Sequence, residues 1–232
     1  MRRKRPIYSN TYTKRRRIII AMIVAVVMLA AAVTGWWWLH RNPRPSARRY
    51  PELGVRVDQS FGAIDATELA QRKVSFVYIK ATQGASFVDD DYTTNYSRAA
   101  DLKRGVYHYF SFESTPAQQV ANFSNHVGQD VGTLPIGIYV TYYEDPPAAQ
   151  TLAARLQQFI KLLNARYSNG VVVMATPSVL ADLHQYLPTV ATYAITDKRP
   201  KAAAYWEYAT AKLPGGDKSY HCAVAVPSTK KG

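Results

Sequence analysis

Phe76-Val77-Tyr78-Ile79-Lys80-Ala81-Thr82-Gln83-Gly84 is a run of β-branched and aromatic residues closed by a glycine. Such residues suit a pleated, buried surface, and the glycine punctuates the end of the strand. Taking 75–81 as the strand, seven similar runs surround it, at 55–57, 105–110, 136–141, 171–175, 189–195, 205–208 and 222–226. Helical patterns fall between several of them, at 65–72, 91–103, 116–127, 148–165 and 177–186, most with Asp or Pro at the start. Alternating strands and helices imply a mainly parallel sheet. About eight strands with fewer helices imply an irregular, TIM-like β/α barrel. On pattern alone, an open α/β sheet is the alternative.

The N-terminal fifty residues have a different character. Residues 18–39, from Ile18 to Leu39, carry no charged side chain and end in Trp36-Trp37-Trp38. As a helix this stretch spans about 33 Å, enough to cross a bilayer core. A cleaved signal peptide would have a shorter apolar region followed by small residues, whereas an aromatic belt follows here. Eight basic residues precede the stretch, and Arg41, Arg44, Arg48 and Arg49 follow it. The basic excess on the N-terminal side places residues 1–17 in the cytoplasm and the C-terminal domain outside, as in a single-pass protein of a bacterial inner membrane. Residues 40–52 read as a linker, 53–228 as the barrel domain and 229–232 as a tail.

The net charge of +13 invites a nucleic-acid reading until the charge is located. Residues 1–50 hold 12 of the 29 Lys and Arg and none of the 16 acids. The remainder is nearly neutral, so no nucleic-acid partner is expected. The single cysteine, Cys222, excludes an internal disulfide framework, and a buried, inert thiol is expected there. His126, His184 and His221 lack metal-ligand spacing, and there is no phosphate-cradling glycine loop, so neither metal nor cofactor is expected.

The stretch from Gly54 to Asp65, Gly-Val-Arg-Val-Asp-Gln-Ser-Phe-Gly-Ala-Ile-Asp, resembles the opening strand and loop of the glycoside hydrolase family 25 lysozymes. The run from Phe76 to Gly84 is similar to that family's second strand. Asp89, Asn95, Ala99, Gly105-Val106-Tyr107-His108-Tyr109-Phe110, Gln119, Asn122-Phe123, Leu134-Pro135, Tyr205-Trp206-Glu207-Tyr208 and Pro214-Gly215 follow in the same order. The resemblance covers about residues 54–226. It implies a β/α barrel that cleaves peptidoglycan between N-acetylmuramic acid and N-acetylglucosamine.

The same resemblance exposes departures. The family's first strand carries an Asp where this chain has Arg56. Its Asp-x-Glu pair after Leu-Pro falls on Tyr139 and Thr141. Its Val-Asp-Leu-Asn segment falls on Tyr220-His221-Cys222-Ala223. Glycosidic cleavage needs a proton donor and a negative group beside the developing oxocarbenium ion. Threonine cannot donate that proton at neutral pH, a tyrosine near pKa 10 is poorly matched to the task, and an arginine repels the developing cation. The usual catalytic acids are therefore replaced. Candidates for relocated acids are Asp58, which shares a strand face with Arg56 and otherwise pairs with it, and Glu144 and Asp145, in a rim loop.

Tyr107, Tyr109, Trp206 and Tyr208 are candidate sugar-binding residues, with core packing the alternative for Trp206 and Tyr208. His108 points away from Tyr107 and Tyr109 and reads as a structural histidine. Asp89 and Asp91 read as helix caps. Three functions fit: a membrane-anchored, catalytically degenerate domain that binds a peptidoglycan glycan strand, a weakly active muramidase with relocated acids, and an envelope scaffold that binds a protein partner.

Overall fold

The computed structural model describes residues 9–40, 44–142 and 146–227. The chain divides into two compact units, Met1–Pro43 and Arg44–Gly232. The first contains one helix, α1 (Ser9–His40). Within it, Lys14–Trp37 is long and apolar enough to cross a membrane, and its described side chains are exposed.

The second unit is a barrel. Its strands are β1 (Leu53–Val57), β2 (Val74–Gln83), β4 (Lys103–Tyr109), β5 (Ile136–Tyr139), β6 (Val171–Ala175), β7 (Ala191–Ile195), β8 (Tyr205–Lys212) and β9 (Ser219–Ala225); a two-residue strand, β3 (Phe87–Val88), hairpins onto β2. Around the barrel the order is β1-β9-β8-β7-β6-β5-β4-β2, and a parallel β1–β2 pairing closes it. Around the barrel, every pairing from β1 through β2 and β4 to β8 is parallel, while β9 runs antiparallel to both β8 and β1. All eight expected strands belong to this closed barrel, so the open-sheet alternative is excluded.

Five helices pack outside: α2 (Ala66–Gln71), α3 (Tyr92–Arg98), α4 (Pro116–Val127), α5 (Ala149–Asn164) and α6 (Pro177–His184). The sequence specifies their starts. Asp65 accepts a hydrogen bond from Glu68 N at the start of α2. Thr115 and Gln118 form a capping box at α4, with Pro116 in the first turn. Helix α3 is shorter than the expected 91–103: it ends at Arg98, and 99–102 turn directly into β4. Asp91 makes no side-chain cap there; Asp89 accepts from Asp91 N instead and also from Gln59 N.

Strand alternation sorts the side chains into two cores. Val55, Val57, Val77, Ile79, Val106, Ile138 and Val173 face outward against the helices. Phe76, Tyr78, Tyr107, Val172, Met174, Tyr193 and Ala223 fill the barrel, with Tyr139 and Tyr205 packed against them. So many large rings fit because glycines lie among them. A Cβ on Gly54 would collide with the Phe76 ring, and one on Gly137 with Met174 and Tyr107. Tyr50, inside the expected linker, is buried edge-on against Trp206, so packing of the barrel unit begins before β1.

Candidate functional site

In a β/α barrel the reactive rim is formed by the C-terminal ends of the parallel strands. Arg56 lies near that end of β1, one residue before the strand's last position. Its side chain points into the barrel and is 5% exposed. There it meets Glu207 of β8, itself 4% exposed. Arg56 Nε donates to Glu207 Oε2 at 2.8 Å and Nη2 donates to Oε1 at 3.0 Å, a planar two-point pair. The strand order explains the meeting. β9 separates β1 from β8, and the residue it presents opposite Glu207 is the small Ala223. Two long side chains can therefore join across it.

The pair is embedded in phenols. Tyr193 Oη donates to Glu207 Oε2 at 3.1 Å. Arg56 Nη1 donates to Tyr107 Oη at 3.3 Å. The guanidinium also lies 4.9 Å from the centre of the Tyr139 ring. Burial works against the Arg56 charge, but its Tyr107 and Glu207 neighbours outweigh it and hold the group above its ordinary pKa. His221 Nδ1 lies 3.4 Å from Glu207 Oε1 and 2.8 Å from Thr210 Oγ1. Burial and the nearby Arg56 charge lower the His221 pKa. Glu207 is thus an acceptor on both oxygens, paired with a permanent cation.

Asp58 does not pair with Arg56. The chain leaves β1 at Val57, and the Asp58 carboxylate turns back to accept from Ser60 N and Ser60 Oγ, capping the short 3-10 turn Gln59–Phe61. Tyr139 is the last residue of β5 and points into the mouth, 5.0 Å from the Tyr109 ring and 6.2 Å from Tyr107. The expected strand 136–141 stops short of Thr141, which lies half-buried beyond it. Glu144 and Asp145 lie outside the described residues.

Tyr107 and Tyr109 share the inner face of β4; Tyr107 is buried beneath Arg56, and Tyr109 lies nearer the rim. Trp206 and Tyr208 are on the outer side of β8. Trp206 Nε1 donates to Thr196 O at 2.7 Å. Strand alternation puts Tyr208 on the same side as Trp206, where it packs against the outer core. His108 is fully buried on the outer face of β4. Its Nδ1 lies 2.8 Å from Thr82 Oγ1, and its Nε2 3.0 Å from Gln119 Oε1. The Gln119 amide nitrogen donates to Ser111 O and Ser114 O, so its oxygen faces the ring and the histidine is neutral with the proton on Nε2. Burial lowers the His108 pKa to about 4.

The motif Tyr205-Trp206-Glu207-Tyr208 does not by itself single out Glu207 as a site residue. The signal for Glu207 is parity. It is a lone acid in an apolar strand, opposite in phase to Trp206, just as Arg56 is a lone base in an apolar strand. Two such charges, each in a buried strand, must find each other. A cavity of about 570 Å³ lined by Ile160, Tyr186, Leu187 and Val190 lies at the other end of the barrel and contains none of these groups. Among the described residues, no three His, Cys, Asp or Glu side chains are grouped to hold a metal ion.

Residues 57–214 match the sequence profile of glycosyl hydrolases family 25. The chain is 26% identical over 174 residues to Lysozyme M1 of Streptomyces globisporus, covering 70% of this chain and 58% of that one. It is 32% identical over 103 residues to the uncharacterized protein YegX of Escherichia coli O6:H1, covering 44% of this chain and 38% of that one. It therefore spans less than two thirds of either relative. A solved family 25 glycosyl hydrolase from Bacillus anthracis superposes with a TM-score of 0.74 at 26% identity, covering 82% of this chain and 95% of that one. With the motifs, the barrel and the profile in agreement over most of its length, this chain belongs to glycosyl hydrolase family 25.

Proposed function

We propose that this protein is a membrane-anchored member of family 25 that holds a peptidoglycan glycan strand without cleaving it. The observation that supports this reading is the Arg56–Glu207 pair: a fixed cation occupies the position of the first-strand acid, and the nearest buried carboxylate is committed to neutralising it. Tyr139 and Thr141 supply no proton donor in place of the Asp-x-Glu pair. The rings of Tyr109 and Tyr139 still offer surfaces on which a sugar can stack. The relative named Lysozyme M1 and the family as a whole point to the bacterial cell wall as the place of action. The apolar stretch Lys14–Trp37, with its basic N-terminal flank, supports a single inner-membrane span with the barrel outside.

The test uses the full-length protein in detergent micelles with purified, insoluble peptidoglycan. Retention on the pelleted wall without release of reducing ends is expected. Release would overturn the non-catalytic reading. Neither release nor retention would replace glycan binding with the third function, an envelope protein partner.

A further inference from the structure

The mouth of the barrel contains a cation that the Arg56–Glu207 pair does not neutralise. Lys80 lies on the inner face of β2, between Tyr78 and a bulge. The register shifts between Lys80 and Thr82, so that Thr82 joins Ala81 on the outer side, where it meets His108. Lys80 and Gln83 are left together at the rim, and Lys80 Nζ donates to Gln83 Oε1 at 2.9 Å. An ammonium has three donors. Among the described residues this is the Lys80 hydrogen bond, and no carboxylate lies within ion-pair distance of it. Asp58 and Asp89 act on it only through space, and both carboxylates are already engaged by Ser60 and by backbone amides.

Two rings flank the ammonium. Phe87 lies 4.8 Å away and Tyr109 5.4 Å away, measured to the ring centres. At 39% exposure, Phe87 is the one large apolar side chain of the barrel unit exposed to solvent among the described residues. Strand β3 consists of only Phe87 and Val88 and holds this ring against the end of β2. A ring displayed at a rim, with a cation behind it, forms a two-part receptor. The ring offers an apolar face for the C–H face of a sugar, and the ammonium offers two donors to an anion on that sugar. Burial lowers the Lys80 pKa, as expected of a charge short of partners.

We infer that Lys80 and Phe87 form a subsite for an anionic sugar unit, with the ammonium taking the anion and the Phe87 ring the sugar face. The inference rests on the glycan-binding reading above and adds its specificity: a saccharide bearing an anionic group is held in preference to a neutral one of the same backbone. The anion can be a carboxylate, as on a muramic acid free of its peptide, or a phosphodiester, as in a wall polymer of phosphate-linked sugars. Either meets the same two donors.

The experiment measures binding of the full-length protein in detergent micelles by isothermal titration. The probes are a muramic-acid-containing glycan strand stripped of peptide, a neutral N-acetylglucosamine oligosaccharide of equal length, and an N-acetylglucosamine oligosaccharide whose units are linked by phosphodiesters. At least one anionic probe is expected to bind about tenfold or more tightly than the neutral one, in line with a charge-assisted hydrogen bond. Whichever anionic probe binds identifies the source of the anion. Lys80→Met is expected to bring that affinity down to the neutral level. Lys80→Arg, which keeps the charge, and Lys161→Met, which removes an exposed lysine of α5, are expected to retain the preference. Phe87→Ala is expected to weaken the anionic and neutral saccharides alike. Thermal melting of each variant establishes that it is folded. Equal binding of anionic and neutral probes, or a preference that survives in Lys80→Met, overturns the inference and leaves glycan binding standing. Binding to none of the probes overturns both.

Discussion

The Arg56 guanidinium and the Glu207 carboxylate meet through two parallel hydrogen bonds of 2.8 and 3.0 Å inside the barrel, joined across the small Ala223 of the strand between them. Each charge is tolerable there only because of the other. Removing one partner strands a buried ion, whereas removing both leaves an apolar site. Arg56→Met is expected to destabilise the fold by roughly 3–5 kcal/mol, and the double variant Arg56→Met/Glu207→Leu by clearly less. Urea unfolding of the single and double variants measures the coupling. Additive losses would mean that the two residues do not depend on each other.

The glycines inside the barrel make a second prediction. Gly54 faces the Phe76 ring with no room for a methyl group. Gly54→Ala is expected to cost about 1–3 kcal/mol, and Gly54→Ala/Phe76→Leu to recover part of that. Thermal unfolding reads both. An unchanged melting temperature in Gly54→Ala would show that the interior is looser than described.

His108 gives stability a pH dependence. Its pKa falls from about 6.5 in the unfolded chain to about 4 in the fold, because burial disfavours the charged ring. Between those values the unfolded chain binds more protons, so stability falls as pH drops through this window. The loss from this one group reaches about 3 kcal/mol once pH is below 4. His108→Gln is expected to be less stable at pH 7 yet to lose less between pH 6.5 and 4 than the parent. Parallel stability–pH curves for the two proteins would contradict this assignment.

Trp206 is held from outside the barrel by Thr196 O and Tyr50. Trp206→Phe is expected to lower stability by about 1–3 kcal/mol while leaving retention on peptidoglycan unchanged in the folded protein. A loss of retention with unchanged stability would instead place this ring in the binding surface.

Much of the barrel was legible because its signals are local. The eight strands show β-rich runs bounded by turns, and Thr115, Pro116 and Gln118 write the start of α4 into the sequence. Helix α3 was overestimated because apolar spacing continues through Ala99, Ala100 and Leu102, where the chain already turns to enter β4. The site was legible only in part. Motif spacing sets Arg56, Tyr139 and Thr141 where the resemblance leads one to expect acids. The partner of Arg56 could not, because Asp58 is two residues away in sequence while Glu207 is 151 away and becomes a neighbour only when β9 closes the barrel. The placement of Gln83 beside the inward Lys80 depends on a bulge, which strict alternation does not anticipate.

The most direct measurement is release of reducing ends from purified peptidoglycan by the full-length protein, beside an active family 25 enzyme, with the pelleted wall assayed for bound protein. Retention on the wall with no release above the buffer blank is the predicted result. Turnover abolished by Asp58→Asn, Glu144→Gln or Asp145→Asn would contradict it and show that the acids had moved to the rim.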